Sequence, residues 1–221
     1  MLLLQRLRTG LWRLPFARTR TRGCPWPVLR RTLAALSPEL QHAVRVATDG
    51  HICTIPCDPD QPWQAAATRR GLPLQGEAPL LARAARDRFG RSHWLQPAAA
   101  RALVQLASAA RAEGIALEVV SSFRSMRDQS RIVARKLAQG QDIAQILAVN
   151  APPGYSEHHT GCAVDFAVPG APLLTEAFED SAAFAWLSAH ARRFGFRLSY
   201  PRGNPEGFVY EPWHWCFVPR S

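Results

Sequence analysis

The stretch of sequence that constrains the fold of this chain most strongly is Ser156-Glu157-His158-His159-Thr160-Gly161-Cys162-Ala163-Val164-Asp165. Its second half begins a run of apolar and small residues, 162–168, which predicts a buried strand with Asp165 inside it. An ionised carboxylate in an apolar strand is costly unless it is paired or bound to a metal ion. His158 lies in a loop seven residues before this aspartate. The two side chains are therefore predicted to hold a cation jointly.

A second stretch, Glu211-Pro212-Trp213-His214-Trp215, carries another histidine and another carboxylate. In a straight strand, residues three positions apart point to opposite faces. Pro212 cannot donate to a strand ladder and favours a bend, which can bring Glu211 and His214 to the same cavity. The two tryptophans that flank the histidine are predicted to pack, one in the core and one as a wall of the pocket, with sugar stacking by one of them as the alternative.

The predicted metal ligands are His158, Asp165 and His214. Any one of them alone would more often be an ordinary polar residue or a turn cap, but the three together favour a metal site. Three nitrogen and oxygen ligands with a fourth position left for water are typical of a catalytic zinc ion. Glu211 is then predicted to be the general base that takes a proton from the activated water. Because adjacent residues cannot easily serve one tetrahedral ion, His159 is predicted to line the pocket instead.

The formal net charge of +10 is concentrated at the start of the 221-residue chain. Residues 1–35 contain eight arginines and no acidic residue. Removing these eight from the 27 basic residues leaves 19 against 17 acidic residues, a net charge of +2 for the remainder. The remainder therefore lacks the charge of a nucleic-acid-binding domain. A hydrophobic content of 47% is ample for one catalytic domain.

Three regions are expected along the chain. Residues 1–35 lack the apolar stretch of a secretory signal. They are expected to be a basic arm, either disordered or the product of a misassigned start, with a segment that binds acidic polymers or lipid headgroups as an alternative. Residues 36–78 contain a hairpin around Asp49-Gly50, followed by a proline-rich linker. Residues 79–221 form the catalytic domain. The sequence has no run of about eighteen apolar residues, so no transmembrane span is predicted.

Five cysteines are too few and too irregularly spaced for a disulfide scaffold. Cys53 and Cys57 could be bridged across a short turn or form half of a zinc site, although no second pair follows at a suitable spacing. Cys162 and Cys216 lie on strands beside the predicted ligands, where a role as small core residues is favoured over metal binding.

From Pro79 onward, the hydrophobic pattern predicts helices and short strands. Helices are expected at residues 82–89, 96–113, 126–137, 142–149 and 175–193, the last with Thr175 as its cap. Strands are expected at residues 117–121, 162–168, 196–199 and 213–218. This mixture predicts an α+β fold in which a small antiparallel sheet carries the zinc site and helices flank it.

Three groups of residues resemble the VanY-type D-alanyl-D-alanine carboxypeptidases. They are the S-x-H-x-x-G-x-A-x-D segment that ends at Asp165, the E-P-W-H segment that ends at His214, and Ser122-Phe123-Arg124-Ser125 together with Gln129. The resemblance extends over roughly residues 80–218 and implies the hedgehog/D-Ala-D-Ala peptidase-like form of the α+β fold. Phe123 and His159 are departures, because the family often has tyrosine and glutamine at these positions.

The resemblance implies the same three zinc ligands and the same general base as the residue pattern does. It also implies that Arg124 polarises the scissile carbonyl and stabilises the oxyanion, although the residues alone would suit a surface arginine at a helix entry. Ser156 and Gln129 correspond to positions that line the substrate pocket, where they could hold the terminal carboxylate.

The function implied is hydrolysis of a peptidoglycan stem peptide that ends in D-Ala-D-Ala, with release of the terminal D-alanine and with one Zn2+ per chain. Alternatives with the same site are an L,D-carboxypeptidase and a peptidoglycan endopeptidase. A non-catalytic wall-binding module is disfavoured by the intact Glu211, and a nucleic-acid partner rests only on residues 1–35. A monomer in the periplasm or cell envelope is expected, with the cytoplasm as the alternative because no clear export signal is present.

Overall fold

The computed structural model describes residues 63–218 and four short strands before them. These strands are β1 (Gln5–Arg6), β2 (Trp12–Arg13), β3 (Val44–Val46) and β4 (Ile52–Thr54), paired antiparallel as β1 with β2 and β3 with β4. The second pair confirms the two strands predicted around Asp49-Gly50, although the turn itself lies outside the described residues. The rest of the predicted basic arm and the side chains of Cys53 and Cys57 also lie outside them.

The described part from residue 63 onward mixes helices with short strands, which confirms the α+β class. The helices are α1 (Gln64–Arg69), α2 (Pro97–Ala112), α3 (Met126–Ala138), α4 (Ile143–Val149) and α5 (Ala182–His190). The strands are β5 (Ala82–Arg86), β6 (Ser92–Leu95), β7 (Glu118–Ser121), β8 (Ala163–Ala167), β9 (Phe196–Leu198) and β10 (His214–Phe217). Short 3-10 helices span Glu157–Thr160, Glu176–Asp180 and Ala191–Phe194.

The central sheet has four antiparallel strands in the order β7-β8-β10-β9. Every residue of β8 is buried, as its apolar sequence predicts. In the register between β8 and β10, His214 lies opposite Asp165 and Trp215 lies opposite Val164. Directly paired residues on neighbouring strands point to the same face of a sheet. The strand pairing therefore brings a histidine and a carboxylate together from positions 49 residues apart.

Helix α2 covers the sheet and supplies much of the core. Its apolar stripe, which includes Leu103, Leu106 and Ala110, is buried against Phe166 of β8 and Phe196 of β9. Burial of such a stripe, more than intrinsic propensity, is what stabilises a helix of this length in a protein. The predicted helix at residues 96–113 is confirmed to within a residue at each end.

Helix α3 begins beside the site, and its start is fixed by two capping contacts. Ser125 accepts a hydrogen bond from the backbone N–H of Asp128 at 3.1 Å, and the Glu77 carboxylate accepts one from the N–H of Met126 at 2.5 Å. Both contacts satisfy donors that a helix leaves unpaired at its first turn. The cap fixes the backbone directly after Arg124, which lies in the segment between β7 and α3.

Two predicted helices are wrong. Residues 82–89 form strand β5 and a turn instead, and β5 pairs with β6. The turn is closed by Asp87, whose carboxylate accepts hydrogen bonds from the N–H groups of Phe89 and Arg91, and by Gly90 at a φ of 79°. Alanine and arginine favour a helix, but this turn and the strand pairing override that weak preference.

The second error concerns residues 175–193, where one long helix was predicted. Thr175 makes no side-chain cap, and Ser181 interrupts the segment in an extended conformation with φ −86° and ψ 149°. Its hydroxyl accepts a hydrogen bond from the N–H of Phe184 at 3.1 Å and so begins α5. A serine that favours capping over the helix interior explains the break.

Helix α1 lies in the stretch expected to be a linker, and the sequence pattern did not indicate it. Ala67 and Leu72 are buried in a small cluster with Tyr155, Tyr200 and Phe208. The helix therefore packs against the loops that border the predicted site. Among the helices that the structure describes, none is long and apolar enough to cross a membrane.

Candidate metal and active site

Three different elements position the predicted ligands. His158 lies in the 3-10 helix Glu157–Thr160, Asp165 in the middle of β8, and His214 at the start of β10. Gly161 ends the 3-10 helix at a φ of 66°, and a Cβ there would lie 3.0 Å from the backbone nitrogen of Gln96. Only glycine suits both the backbone conformation and this close approach. Gly161 thereby fixes the turn into β8, two residues after His159.

The side chains of the three predicted ligands meet. His214 Nδ1 lies 2.9 Å from Asp165 Oδ1, and His158 Nε2 lies 3.2 Å from Asp165 Oδ2. One ligand atom from each residue lies within 4.8 Å of the others, and all three residues are buried. Zinc bonds to nitrogen and oxygen are about 2.0–2.2 Å long, so small side-chain shifts would bring the three atoms onto one ion.

Hydrogen bonds at the outer ring nitrogens orient the two histidines. His158 Nδ1 donates to the carbonyl oxygen of Ser122 at 2.7 Å. His214 Nε2 lies 3.1 Å from a carboxylate oxygen of Glu157. A histidine that binds a metal usually donates its other N–H to a carbonyl or carboxylate in this way. Each ring thus keeps one nitrogen, the one that faces Asp165, for an ion.

The charges at the site also suit a cation. Burial alone would raise the pKa of Asp165, but the two histidines hold it well below its usual range. Burial alone would lower the pKa of His214, but hydrogen bonds to Asp165 and Glu157 raise it to about 10. Asp165 and Glu157 therefore favour a positive charge beside them, and a metal ion would supply one.

Glu211 is close to the ligands without occupying the place of one. The predicted bend at Pro212 is present as a turn. The N–H of His214 donates to the carbonyl oxygen of Glu211 at 3.1 Å and closes this turn. The Glu211 carboxylate lies 3.9 Å from His214 Nδ1. Burial, with a further contribution from Asp165, raises the pKa of Glu211 to about 7. A carboxyl group with a pKa near neutrality suits proton transfer.

Arg124 extends toward the site with a fixed guanidinium. Its Nη1 donates to Gln129 Oε1 at 3.0 Å and its Nη2 to the hydroxyl of Ser121 at 2.9 Å. Gln129 also donates from Nε2 to the carbonyl of Ala151 at 2.6 Å, and only 1% of its surface is exposed. Both ends of the Gln129 amide are therefore used within the protein, and its visible effect is to hold Arg124.

One cavity of about 310 Å³ joins these groups. All seven residues singled out from the sequence line it: Arg124, Gln129, Ser156, His158, Asp165, Glu211 and His214. Trp213 also lines the cavity, whereas Trp215 is buried in the core, which confirms the two roles predicted for the tryptophans. Cys216 is buried and Cys162 half-buried, and both are free thiols outside the ligand group, as favoured from the sequence.

The prediction that His159 lines the pocket is wrong. Its side chain is fully buried and is absent from the cavity lining. His159 Nδ1 donates to the carbonyl of Arg124 at 2.6 Å, and Nε2 accepts from the N–H of Gly154 at 3.2 Å. The residue instead joins two loops behind the site, because its neighbour His158 takes the position that faces the cavity.

Glu157 is the site residue that sequence reasoning missed. Besides its contact with His214, its carboxylate accepts hydrogen bonds from the hydroxyl of Ser199 at 2.5 Å and from Arg197 at 3.0 Å. Burial would raise the pKa of Glu157, but His214 and these two donors lower it to about 2. The only available signal was an acidic residue next to a predicted ligand, since its partners lie about 40 residues or more away in sequence.

Comparison with known proteins bears on the site as a whole. The family model of VanY, D-alanyl-D-alanine carboxypeptidase, matches residues 92–220, which include every predicted ligand and the predicted base. The chain belongs to the VanY family. A D-alanyl-D-alanine carboxypeptidase of Enterococcus faecalis is 35% identical over 126 residues, which cover 52% of this chain and 45% of that protein. This VanY-family chain therefore matches about half of the length of that relative.

Two solved VanY-like structures resemble the fold as well. One is a glutamate-to-alanine variant of the vancomycin-resistance D,D-pentapeptidase VanY in complex with Zn(II), with 30% identity, a TM-score of 0.51, and coverage of 67% of this chain and 83% of that one. The other is the LdcB LD-carboxypeptidase, with 30% identity, a TM-score of 0.54 and coverage of 66% of each chain. Both likenesses agree with the hedgehog/D-Ala-D-Ala peptidase-like fold expected from the sequence.

Proposed function

We propose that this protein is a zinc-dependent D-alanyl-D-alanine carboxypeptidase that hydrolyses the C-terminal D-alanine from peptidoglycan stem peptides. The observation that carries the proposal is the meeting of His158, Asp165 and His214 beside Glu211 and Arg124 in one cavity. Membership of the VanY family supports this substrate class, and the name of the Enterococcus faecalis relative supports this bond.

His158 through Nε2, Asp165 through its carboxylate and His214 through Nδ1 would hold the zinc ion. Two nitrogens and one oxygen leave a position open, as in catalytic zinc sites, and a related structure contains Zn(II). When bound, the ion would lower the pKa of a water molecule and polarise the scissile carbonyl.

The chain's own side chains would supply the remaining steps. Glu211 would accept the proton of the attacking water and return it to the leaving amine, a role that its pKa of about 7 suits. Arg124 would stabilise the negative charge that develops on the carbonyl oxygen, since its guanidinium is already held by Gln129 and Ser121. Ser156, buried on the cavity wall, would contact the substrate.

The mechanism is tested by Glu211→Gln, which keeps the shape of the side chain and removes the base. Turnover of a peptide ending in D-Ala-D-Ala should fall by about 10²–10⁴ or more, while the zinc content of the purified protein stays the same. Glu113→Gln, an exposed glutamate at the end of α2, is the matched control. A near-normal rate for Glu211→Gln would refute the mechanism.

A second function with the same chemistry is an L,D-carboxypeptidase, which the likeness to LdcB favours. Digestion of defined tripeptide, tetrapeptide and pentapeptide stems, followed by mass spectrometry, separates the two. Loss of one alanine from the pentapeptide supports the proposed D,D-activity. Cleavage of the tetrapeptide, with the pentapeptide left intact, would show an L,D-carboxypeptidase instead of the proposed D,D-activity. Cleavage at an internal bond would indicate an endopeptidase.

The proposed place of action is the periplasm or cell envelope, because that is where peptidoglycan stems are exposed. Fractionation of cells that carry a tagged full-length chain tests this directly. Recovery in the cytoplasmic fraction alone would favour a role on recycled muropeptides instead.

A further inference from the structure

Lys136 is the only lysine in the sequence, and it lies on the wall of the same cavity as the predicted metal ligands. It is half-buried in the last turn of α3. Lysines usually place the charged end of the side chain in water at the protein surface. This one lines a cavity in which the proposed chemistry has not yet given it a role.

The helix sets the distance between Lys136 and the reaction centre. Gln129 and Lys136 are seven residues apart on α3, which is nearly two helical turns, so their side chains leave the same face about 10 Å apart. Gln129 holds the guanidinium of Arg124, the residue proposed to contact the scissile carbonyl. Lys136 therefore lines the cavity about 10 Å along the helix from the residue that holds Arg124.

The charge of Lys136 has no protein partner in the part of the chain that the structure describes. No carboxylate oxygen there lies within 4.0 Å of its ammonium group, in contrast to Arg88, Arg91, Arg131, Arg197 and Arg202, which form ion pairs. Burial and the neighbouring Arg135 both lower the pKa of Lys136. An ammonium group in this environment would be stabilised by an anion that enters with the ligand.

We propose that Lys136 binds a side-chain carboxylate of the substrate, two or three residues before the scissile bond. This inference rests on the proposed carboxypeptidase function. The carboxylate of the released residue lies within one residue of the scissile bond, whereas an extended chain needs about three residues, at 3.3–3.6 Å each, to span 10 Å. Lys136 thus selects for an acidic residue in the part of the stem that remains after the terminal residue is released.

The test uses acetylated peptides that end in D-Ala-D-Ala and carry glutamate or glutamine at the second or third position before the scissile bond. Zinc-loaded wild-type protein should prefer glutamate at one of these positions by about three- to tenfold in kcat/KM, mostly through KM, as expected for a partly solvated ion pair. Lys136→Gln should remove the preference, Lys136→Glu should reverse it, and Lys136→Arg should retain part of it.

Arg135→Gln is the matched control, because Arg135 is the exposed neighbour on the same helix and does not line the cavity. It should leave the preference unchanged, and unaltered zinc content and melting temperature would show that every variant is folded. Hydrolysis without any preference for glutamate, or a preference that survives in Lys136→Gln, would overturn the inference while leaving the proposed function standing.

Peptides with an amidated C-terminus form a second arm. If Lys136→Gln abolished the discrimination between the free acid and the amide, Lys136 would hold the terminal carboxylate. Its assignment to an acidic side chain before the scissile bond would then be wrong. Absence of hydrolysis of every peptide by zinc-loaded wild-type protein would overturn the proposed function itself, and this inference with it.

Discussion

Two walls of the cavity carry opposite charges and differ in how those charges are held. On the sheet wall, formed by β8, β10 and the 3-10 helix Glu157–Thr160, Asp165 contacts both histidines, and Glu157, which does not itself line the cavity, accepts three hydrogen bonds. On the helix wall, formed by Arg124 and α3, the guanidinium donates hydrogen bonds to the neutral side chains of Ser121 and Gln129. Lys136 on that wall has no carboxylate within 4.0 Å among the described residues.

The difference separates two tasks. The acids of the sheet wall are held by several hydrogen-bond donors of the protein, and such an arrangement suits a site for a cation that stays with the protein. The hydrogen bonds that hold Arg124 go to neutral side chains, and Lys136 has no carboxylate within 4.0 Å among the described residues, so both cations can interact with a substrate. Substitutions on the sheet wall should therefore change metal affinity, and those on the helix wall should change turnover or substrate preference.

The largest effect expected from this division is that of Arg124→Gln. Loss of the guanidinium should lower kcat by about 10²–10³, the usual cost of removing one group that stabilises an oxyanion. Zinc affinity should stay within about twofold, because Arg124 contacts none of the ligand atoms. Arg131→Gln, an exposed residue of α3 that pairs with Asp128, is the control. A large loss of zinc from Arg124→Gln would show that the two walls do not have separate tasks.

Glu157→Gln should have the opposite signature. Glutamine keeps the size of the side chain but removes the charge that faces His214 Nε2, so zinc affinity should weaken by about ten- to a hundredfold. Competition with a chelator measures this directly in the absence of substrate. At saturating zinc, kcat should recover most of its wild-type value. Unchanged affinity would show that the carboxylate serves only to fix the loop.

The sheet wall could be predicted from sequence because its proposed metal ligands lie in segments with a local signal. Asp165 interrupts an apolar strand, and Pro212 places a bend between Glu211 and His214. These signals act over a few residues, and the strand pairing observed between His214 and Asp165 converts them into one cluster. The small antiparallel sheet itself followed from the same apolar segments.

The helix wall was less predictable, because its contacts join residues whose types are common on any surface. Arg124 was identified through the family resemblance, and its sequence neighbours alone would have suited an exposed arginine. Lys136 attracted no prediction, since one lysine in a helix has no pattern. Glu157 was missed for a related reason: its partners Arg197, in β9, and Ser199, just after β9, lie about 40 residues away in sequence.

The two wrong helices have a physical cause in common. Alanine-rich segments fit a helix by propensity, which amounts to fractions of a kcal/mol per residue, and a few specific hydrogen bonds outweigh it. Asp87 provides such bonds at the turn after β5, and Ser181 does so before α5. In each segment, the hydrogen bonds of a single turn or capping residue therefore determine the secondary structure.

The smallest expected effects test whether the zinc affinity of the sheet wall depends on buried hydrogen bonds or only on charge. Ser199 and Arg197 both donate to Glu157, but Ser199 is buried, whereas the side chain of Arg197 is 54% exposed. Loss of a buried hydrogen bond costs about 1 kcal/mol, and exposed ion pairs contribute little because water screens them.

Ser199→Ala should therefore weaken zinc binding by about two- to fivefold, and Arg197→Gln by less than about twofold, as measured by the same chelator competition. The order of effects Glu157→Gln, Ser199→Ala, Arg197→Gln would show that buried hydrogen bonds hold the carboxylate in place. An effect of Arg197→Gln as large as that of Ser199→Ala would mean that net charge, more than the fixed geometry of the wall, sets the affinity for the ion.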